Sequence, residues 1–384
     1  MNSEITRILD SLPGHVNVTD VYDEIERRVA AGDPDFAHDL ALAIVGLGFT
    51  ETEPWQYETV FSYALRTLAI TPGRANIERT VRLPGTRFPK AERRAARFWA
   101  SVLASEQPVG DLLAAVFAPG KTAAAAPYEM RACLLHELVL RGVDVSGHPE
   151  TQAFAAALRS GNHPLAALPT RLLENEENVG LPRYSARGAS HGLPFHSGAE
   201  LPHPSARTPP GPSRAFGLAE IGDRAQTEAI ATAANDWQEH SNGKVEARVF
   251  ASDVPLDRAD LRGVIDALPL ECLAGARHGT VRMSASTAEG AWRMLFSVAS
   301  RGGAYSRSRY GAYGRLAAWH SMTGLVGAPV GTEFEQIDAS ARTCTGYDLG
   351  TETDWFYDVA WDFGILALRP DQHHVAVLAA TDTD

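Results

Sequence analysis

The feature that most constrains the fold is a proline-rich stretch, residues 176–216, near the middle of a chain of 384 residues. It holds seven prolines together with many glycines and serines and few large apolar residues. Such a segment cannot bury enough apolar surface to offset the entropy lost on ordering, so it predicts a flexible linker. We therefore expect two folded parts, residues 1–175 and residues 217–384, each long enough to bury its own core.

Residues 1–175 have the periodicity of helices separated by short breakers. Asp33-Pro34 is typical of a helix start, because aspartate caps free N–H groups and proline is tolerated at the first helical position. Phe36, Leu40, Ala43 and Leu47 then recur at helical spacing. Almost no alternating apolar and polar run interrupts this pattern. The sequence therefore predicts an all-helical N-terminal domain.

Residues 217–384 mix two periodicities. Val245, Ala247 and Val249 alternate with polar residues as in a strand, whereas residues 287–300 and 311–326 have the apolar stripes of helices. Near the end of the chain, two apolar runs are separated by a segment that begins Arg369-Pro370-Asp371, and Pro-Asp is good turn chemistry. We predict an α+β domain with a mostly antiparallel sheet, and an α+β fold class for the whole chain.

Composition excludes several classes of function. No apolar run approaches the roughly 18–20 residues of a membrane helix, and the N-terminus lacks the basic and apolar parts of a signal peptide. We therefore expect a cytoplasmic protein that does not bind membranes. A net charge of −12 repels phosphate backbones and argues against non-specific nucleic-acid binding. The three cysteines lie too far apart in sequence to signal a disulfide framework or a zinc site, and no cofactor is identified.

Two short motifs fail on inspection. Gly120-Lys121-Thr122 ends like a phosphate-binding loop, but Ala115 stands where that motif needs its first glycine. His136-Glu137 begins like a zinc-protease helix, but Leu140 stands where the second histidine belongs. Neither chemistry is predicted.

The first candidate site is residues 301–315, RGGAYSRSRYGAYGR, which we name the Arg/Tyr loop. Guanidinium groups bind phosphate or carboxylate, and tyrosines stack on rings or donate hydrogen bonds. A helix that starts near Gly311 would add free N–H groups to such an anion site. The candidate ligand-binding residues are Arg301, Tyr305, Arg307, Arg309, Tyr310, Tyr313, Arg315 and His320.

The Arg/Tyr loop also has a structural interpretation. Residues 348–384 carry eight acidic residues and one arginine, so the basic loop can dock on the acidic end of its own domain. In the first alternative the arginines bind an external anion, and in the second they form internal ion pairs. The sequence leaves both open.

The second candidate site is a row of carboxylates, Asp354, Asp358 and Asp362, in the segment DWFYDVAWDFG. A spacing of four places them on one face in a helix and also in a strand. Three carboxylates on one face can bind Mg²⁺ or Ca²⁺, or raise one another's pKa as acid–base catalysis requires. The alternative is the solvated face of an element whose other face is apolar.

Three segments, GGAYSRSRYGAYGRLAAW, VAWDFGILALRPD and VLAATDTD, resemble a family of uncharacterised proteins typical of Streptomyces and related actinobacteria. The likeness covers roughly residues 235–384. It implies an actinobacterial source and one coherent C-terminal domain, and it implies no activity, ligand or catalytic residue.

Two functions of different class follow from these patterns. The first, which we favour, is a binding or scaffold protein whose helical part contacts partners. Its α+β domain would bind an anionic small molecule or an acidic protein segment through the Arg/Tyr loop. The second is an enzyme that acts on a phosphorylated or nucleotide-like substrate between that loop and the Asp row. A deep cleft that joins Arg309, Tyr313, His320 and Asp362 would favour the enzyme, and a buried ion-pair network would favour the scaffold.

Overall fold

The computed structural model describes residues 3–47, 54–83, 92–177, 179–185, 188–190, 216–276, 280–305, 308–356 and 361–383. The chain divides into two compact units. The first unit consists of Met1–Ala166 and Leu181–Gly192, and the second of Ala167–Gly180 and Leu193–Asp384. None of the helices in the described ranges is both long and apolar enough to cross a membrane.

The first unit is helical, as predicted. Its helices are α1 Ser3–Ser11, α2 Thr19–Ala30, α3 Pro34–Gly46, α4 Trp55–Ile70, α5 Arg74–Thr80, α6 Glu92–Glu106, α7 Val109–Leu112, α8 Lys121–Ala125, α9 Tyr128–Leu140 and α10 Pro149–Ser160. A π-helical turn, Leu113–Phe117, follows α7. Strands β1, Arg183–Ser185, and β2, Gly188–Ser190, form an antiparallel pair in the same unit. The predicted cap is present, since the Asp33 carboxylate accepts the N–H of Phe36.

Helix α9 forms much of the core of the first unit. From Met130 to Leu140 every residue except Arg131 is buried, because α9 is surrounded on all sides, α6 being its main neighbour. The cluster includes one carboxylate, Glu137, which is fully buried and pairs with Arg141 one turn later at 2.5 Å. An apolar helix of this kind fixes the positions of the shorter helices around it.

The second unit combines strands and helices. Its strands are β3 Leu218–Glu220, β4 Lys244–Ser252, β5 Arg282–Ser286, β6 Thr345–Gly350, β7 Phe363–Leu368 and β8 His374–Thr381. Its helices are α11 Arg224–Ala231, α12 Asn235–His240, α13 Leu261–Ala267, α14 Ala288–Arg301, α15 Tyr310–Val326 and α16 Phe334–Ala341.

The six strands form one antiparallel sheet in the order β3-β4-β8-β7-β6-β5, which confirms the predicted fold class. β7 and β8 are the predicted hairpin, with Leu368 opposite Val375. All of β7 and nearly all of β8 are buried, so the centre of the sheet is covered on both faces. Leu366 and Val377 pack with Val264 of α13 in one cluster, while α11 contacts β4 and α15 contacts β8.

The predicted domain boundary after residue 175 falls inside the second unit. Residues 167–180 belong to that unit, where Glu176 is fully buried. Residues 183–185 and 188–190, which composition also placed in the linker, form β1 and β2 of the first unit. Composition could not anticipate this, because contacts with residues distant in sequence, among them the buried ion pair of Glu176 with Arg315 and the bonds of Asn175 to Asp338, hold residues 167–180, which include few apolar residues. Residues 191–215 lie outside the described residues, and there the flexible linker stays a prediction.

Candidate functional site

The Arg/Tyr loop docks within its own unit. The carboxylate of Asp382 accepts the backbone N–H of Ala304 at 2.7 Å, and the backbone N–H of Arg309 bonds to the carbonyl of Ala299 at 3.1 Å. Gly303 lies so close to Asp382 that an added Cβ would fall 2.0 Å from a carboxylate oxygen. The loop therefore contacts the acidic end of the chain through its backbone.

Arg309 is held by an acid on another helix. Its Nε and Nη2 donate to the two carboxylate oxygens of Asp236, on α12, at 2.6 and 2.9 Å. Both side chains are about one-fifth exposed. The partner of the Arg309 side chain thus lies outside residues 348–384, where the structural interpretation had placed it, whereas the backbone of the loop does contact Asp382 within that range.

Arg315 is fully buried in an ion pair. Its Nε and Nη2 donate to Glu176 at 2.6 and 2.7 Å, and Nη1 and Nη2 also donate to the carbonyls of Pro169 and Arg171. Neither charged side chain has any exposed surface. Because solvent does not reach Arg315, it is a structural residue in this fold.

The other predicted ligand-binding residues differ in how far their side chains are exposed to solvent. Tyr305 is 64% exposed, whereas Tyr310 and Tyr313 are half-buried in the first turn of α15. His320 lies at the surface with its ring edge against Phe334, 5.6 Å between centroids. Desolvation of the ring by partial burial and then the positive charge of Arg309 lower the pKa of His320. Arg307 lies outside the described residues.

The remaining predicted arginine, Arg301, ends α14. Its Nη2 donates to the carbonyl of Gly180 at 2.6 Å. Within the described ranges, its Nε and Nη1 are buried and have no hydrogen-bond partner.

The structure does not bring the Asp row onto one element. Asp354 is exposed in a bend, and Asp362 precedes β7, where it accepts the hydroxyl of Thr381 at 2.5 Å. Asp358 lies outside the described residues. The shared face on which the metal prediction rested is therefore absent from the described part of this segment, and metal binding there stays a prediction.

Another group of metal-ligand type lies on α12. Ligand atoms of Asp236, Glu239 and His240 lie within 4.8 Å of one another, and no other such group occurs among the residues that the structure describes. Both carboxylate oxygens of Asp236 already accept from Arg309. A cation would have to compete with that guanidinium.

A polar cavity of about 450 Å³ lies where β5 ends, α14 begins and β6 starts. Neither this polar cavity nor the smaller apolar cavity next to it is lined by Arg309, Tyr313, His320 or Asp362. The lining residues of the polar cavity are Glu174, Asn175, Glu177, Arg258, Ala285, Ser286, Thr287, Ala288, Glu289, Arg342, Cys344, Thr345, Gly346 and Tyr347.

Some of the charged residues around this cavity form ion pairs and others do not. Arg342 pairs with Glu174 and, at 3.5 Å, with Asp338. Arg258 and Glu177 are exposed, and neither has an ion-pair or hydrogen-bond partner in the described part of the chain. The cavity therefore offers one unpaired positive and one unpaired negative side chain.

A small apolar cavity of about 30 Å³ shares part of this lining. Ser286, Cys344 and Tyr347 line both spaces, and the smaller one continues between Met322 and Ile365. Its volume is that of about one water molecule or one methyl group. We name it the apolar recess.

Two titratable groups of the lining, Cys344 and Tyr347, have raised pKa values. Burial raises the pKa of the Cys344 thiol to about 11, and burial also raises the pKa of Tyr347 although nearby Arg258 opposes the rise. The hydroxyl of Thr287 is occupied as the cap of α14, since it accepts the N–H of Gly290 at 3.0 Å. Protonated thiol and phenol groups suit binding, because nucleophilic attack requires the thiolate.

Sequence reasoning missed this cavity because its residues come from four separate segments. Only Thr287, a helix-cap residue before an apolar stripe, carries a local signal. The placement of Glu177 and Arg258 around one space depends on the fold of residues 167–180 into the second unit.

The fold and the cavity define a two-unit α+β protein with a charged polar cavity beside an antiparallel sheet. The chain belongs to the family of unknown function DUF6183, whose family model matches residues 19–384. The match includes the helical first unit as well as the C-terminal segment in which the sequence resembles an uncharacterised family. No curated protein and no solved structure matches the chain.

Proposed function

We propose that the second unit binds a small ligand with one positive and one negative end in the polar cavity. The observation that carries this proposal is the presence of Arg258 and Glu177, both without an ion-pair or hydrogen-bond partner in the described part of the chain, around one space of about 450 Å³. Cavities of this size are typical of sites for small molecules. A ligand of matching charge gains from both side chains, whereas a simple anion or cation gains from one only.

The chemistry of the lining narrows the ligand class. A guanidinium recognises a carboxylate through paired hydrogen bonds, and a carboxylate recognises an ammonium group. Free amino acids and short peptides carry both groups. The apolar recess next to Cys344 has room for one methyl-sized group, so a short side chain such as that of alanine is preferred.

We propose binding rather than catalysis at this cavity. The Cys344 thiol is protonated at neutral pH, and none of the lining residues that the structure describes is a histidine that could act as a general base. The buried pair of Arg315 with Glu176 also fits the binding or scaffold protein favoured on sequence grounds.

The test is isothermal titration of the full chain with alanyl-alanine and with its N-acetylated and C-amidated forms. We expect binding of the free dipeptide and a loss of about ten-fold or more in affinity when either end is blocked. Arg258→Gln should remove the penalty for C-amidation, and Glu177→Gln the penalty for N-acetylation. Arg224→Gln and Glu239→Gln change exposed charges of the same unit outside the cavity, so both should leave affinity unchanged.

Two results would contradict the proposal. One is the absence of binding to free amino acids and dipeptides at millimolar concentration. The other is binding that is equally sensitive to end-blocking in the wild type and in both cavity variants, because the charged ends would then be read elsewhere.

We further propose that the protein acts in the cytoplasm of an actinobacterial cell and that its helical unit contacts a protein partner. The source is supported by the resemblance of the C-terminal motifs and by 32 arginines against three lysines, as expected of a high-GC genome. Fractionation of such a cell with an antibody against this chain tests the location.

A further inference from the structure

We infer a second ligand site, independent of the cavity, at Arg301: it binds a single oxyanion, the carboxylate or phosphate group of a small molecule. The basis is the pairing of one guanidinium group. Nη2 donates to the carbonyl of Gly180, while Nε and Nη1 are buried with no acceptor in the described ranges. No other described side chain leaves two buried donor atoms without a partner.

Comparison with the other arginines of this unit shows why the pairing is unusual. Arg309 and Arg315 each bond to a carboxylate through two nitrogen atoms. Arg369, which is buried, donates to the carbonyls of Leu325 and Gly324. Arg301 has one neutral acceptor, and burial without a charged neighbour lowers its pKa. Buried donor atoms left without acceptors are costly, so an external acceptor is expected.

The chemistry of a guanidinium sets the ligand class. Nη2 carries a second hydrogen besides the one bonded to Gly180, and this hydrogen forms a donor pair with the nitrogen on the same edge of the guanidinium. A carboxylate or phosphate has two or more oxygens at the spacing that such a pair recognises. A neutral ligand would satisfy the donors but would leave the partly buried guanidinium charge uncompensated.

A purely structural role is the competing interpretation. Arg301 is the last residue of α14, and a cation in the last turn of a helix is stabilised by the helix dipole. That role explains the position of the charge. It does not explain two buried donor atoms without acceptors.

The experiment measures the melting temperature of the full chain against inorganic phosphate and, in a separate series, acetate. Chloride keeps the ionic strength constant. We expect phosphate or acetate to raise the melting temperature of the wild type with saturation. Arg301→Met should abolish the rise, or weaken the apparent affinity by about ten-fold or more, without lowering the melting temperature in anion-free buffer. The series with the larger effect identifies the oxyanion.

Arg293→Met is the matched control, because Arg293 lies on the same helix and its charge interacts with Glu289 at 3.9 Å. It should leave the anion effect intact. An equal anion effect in Arg301→Met and wild type would overturn the proposal as a general salt effect. A large loss of stability in Arg301→Met together with no anion effect on the wild type would overturn it in favour of the structural role. If Arg301→Met does not fold, the anion-dependent rise in melting temperature is compared between Arg301→Lys and the wild type instead.

Discussion

The Glu176 carboxylate accepts hydrogen bonds from Nε and Nη2 of Arg315, and both side chains are fully buried. It also accepts the indole N–H of Trp319 at 2.6 Å and the backbone N–H of Leu173 at 2.8 Å. The carboxylate is therefore fully satisfied by donors from α15 and from its own segment. These bonds hold residues 167–180 in the second unit.

Replacing one partner of this pair should strongly destabilise the second unit. Glu176→Ala leaves a buried guanidinium without its counter-charge, and we expect a loss of about 3–5 kcal/mol in the free energy of unfolding. Denaturant melts measure the loss. Arg224→Ala is the control, because the pair of Arg224 with Glu228 is exposed and should be worth less than about 1 kcal/mol.

A double variant separates the charge from the packing. Glu176→Gln with Arg315→Met removes both charges, and it should recover part of the stability lost in either single variant. If the loss of stability in the double variant equals the sum of the losses in the two single variants, the two side chains act separately, which would contradict the buried ion pair.

Arg309 should matter less to stability than Arg315. Its pair with Asp236 is partly exposed, so Arg309→Ala should cost about 1–2 kcal/mol, between the values for surface and buried pairs. The cost should be the same with and without phosphate, because Asp236 already occupies the guanidinium. If Arg309→Ala instead kept wild-type stability and weakened phosphate binding, Arg309 would belong to an anion site, as the sequence alone allowed.

Gly314 sets the distance between α14 and α15. A Cβ at this position would lie 2.7 Å from the Cβ of Ser300, so Gly314→Ala should cost about 1–3 kcal/mol through overpacking. Gly110→Ala is the matched control, because Gly110 also lies in a helix but has open space around it. The control should be neutral or stabilising, since alanine has the higher helix propensity. Equal effects of the two substitutions in thermal melts would contradict the close approach.

The sequence predicted the elements better than it predicted the partners. Periodicity is local, so the α15 stripe and the β7–β8 hairpin could be read from neighbouring residues. The partner of Arg315 lies 139 residues away in a segment whose composition is typical of a linker. No local pattern distinguishes Glu176 from the exposed Glu177 beside it, although one is buried in the core and the other lines the cavity.

Cys344 provides a pH-dependent probe of the cavity. Only the thiolate reacts with alkylating agents, and burial raises the pKa of Cys344 to about 11. Its alkylation should therefore be slow at pH 7 and accelerate about ten-fold for each unit of pH up to pH 9.5. Mass spectrometry of the Cys344 peptide measures the rate, which a bound dipeptide should reduce. Fast alkylation at pH 7 would contradict the raised pKa.

The last prediction concerns the proline-rich segment. Because residues 191–215 hold most of its prolines and few large apolar residues, limited proteolysis should cut there first. Cleavage should not occur at residues 174–177, since Glu176 and Asn175 are buried and Asn175 bonds to Asp338. The N-terminal product carries residues 167–180, which belong to the second unit, so the two products should remain associated. Size-exclusion chromatography and mass spectrometry of the fragments measure this association. In the Glu176→Ala variant, loss of the anchor should open a new cut between residues 167 and 180. First cleavage at 174–177 in the wild type would mean that the pair with Arg315 does not hold this segment in solution.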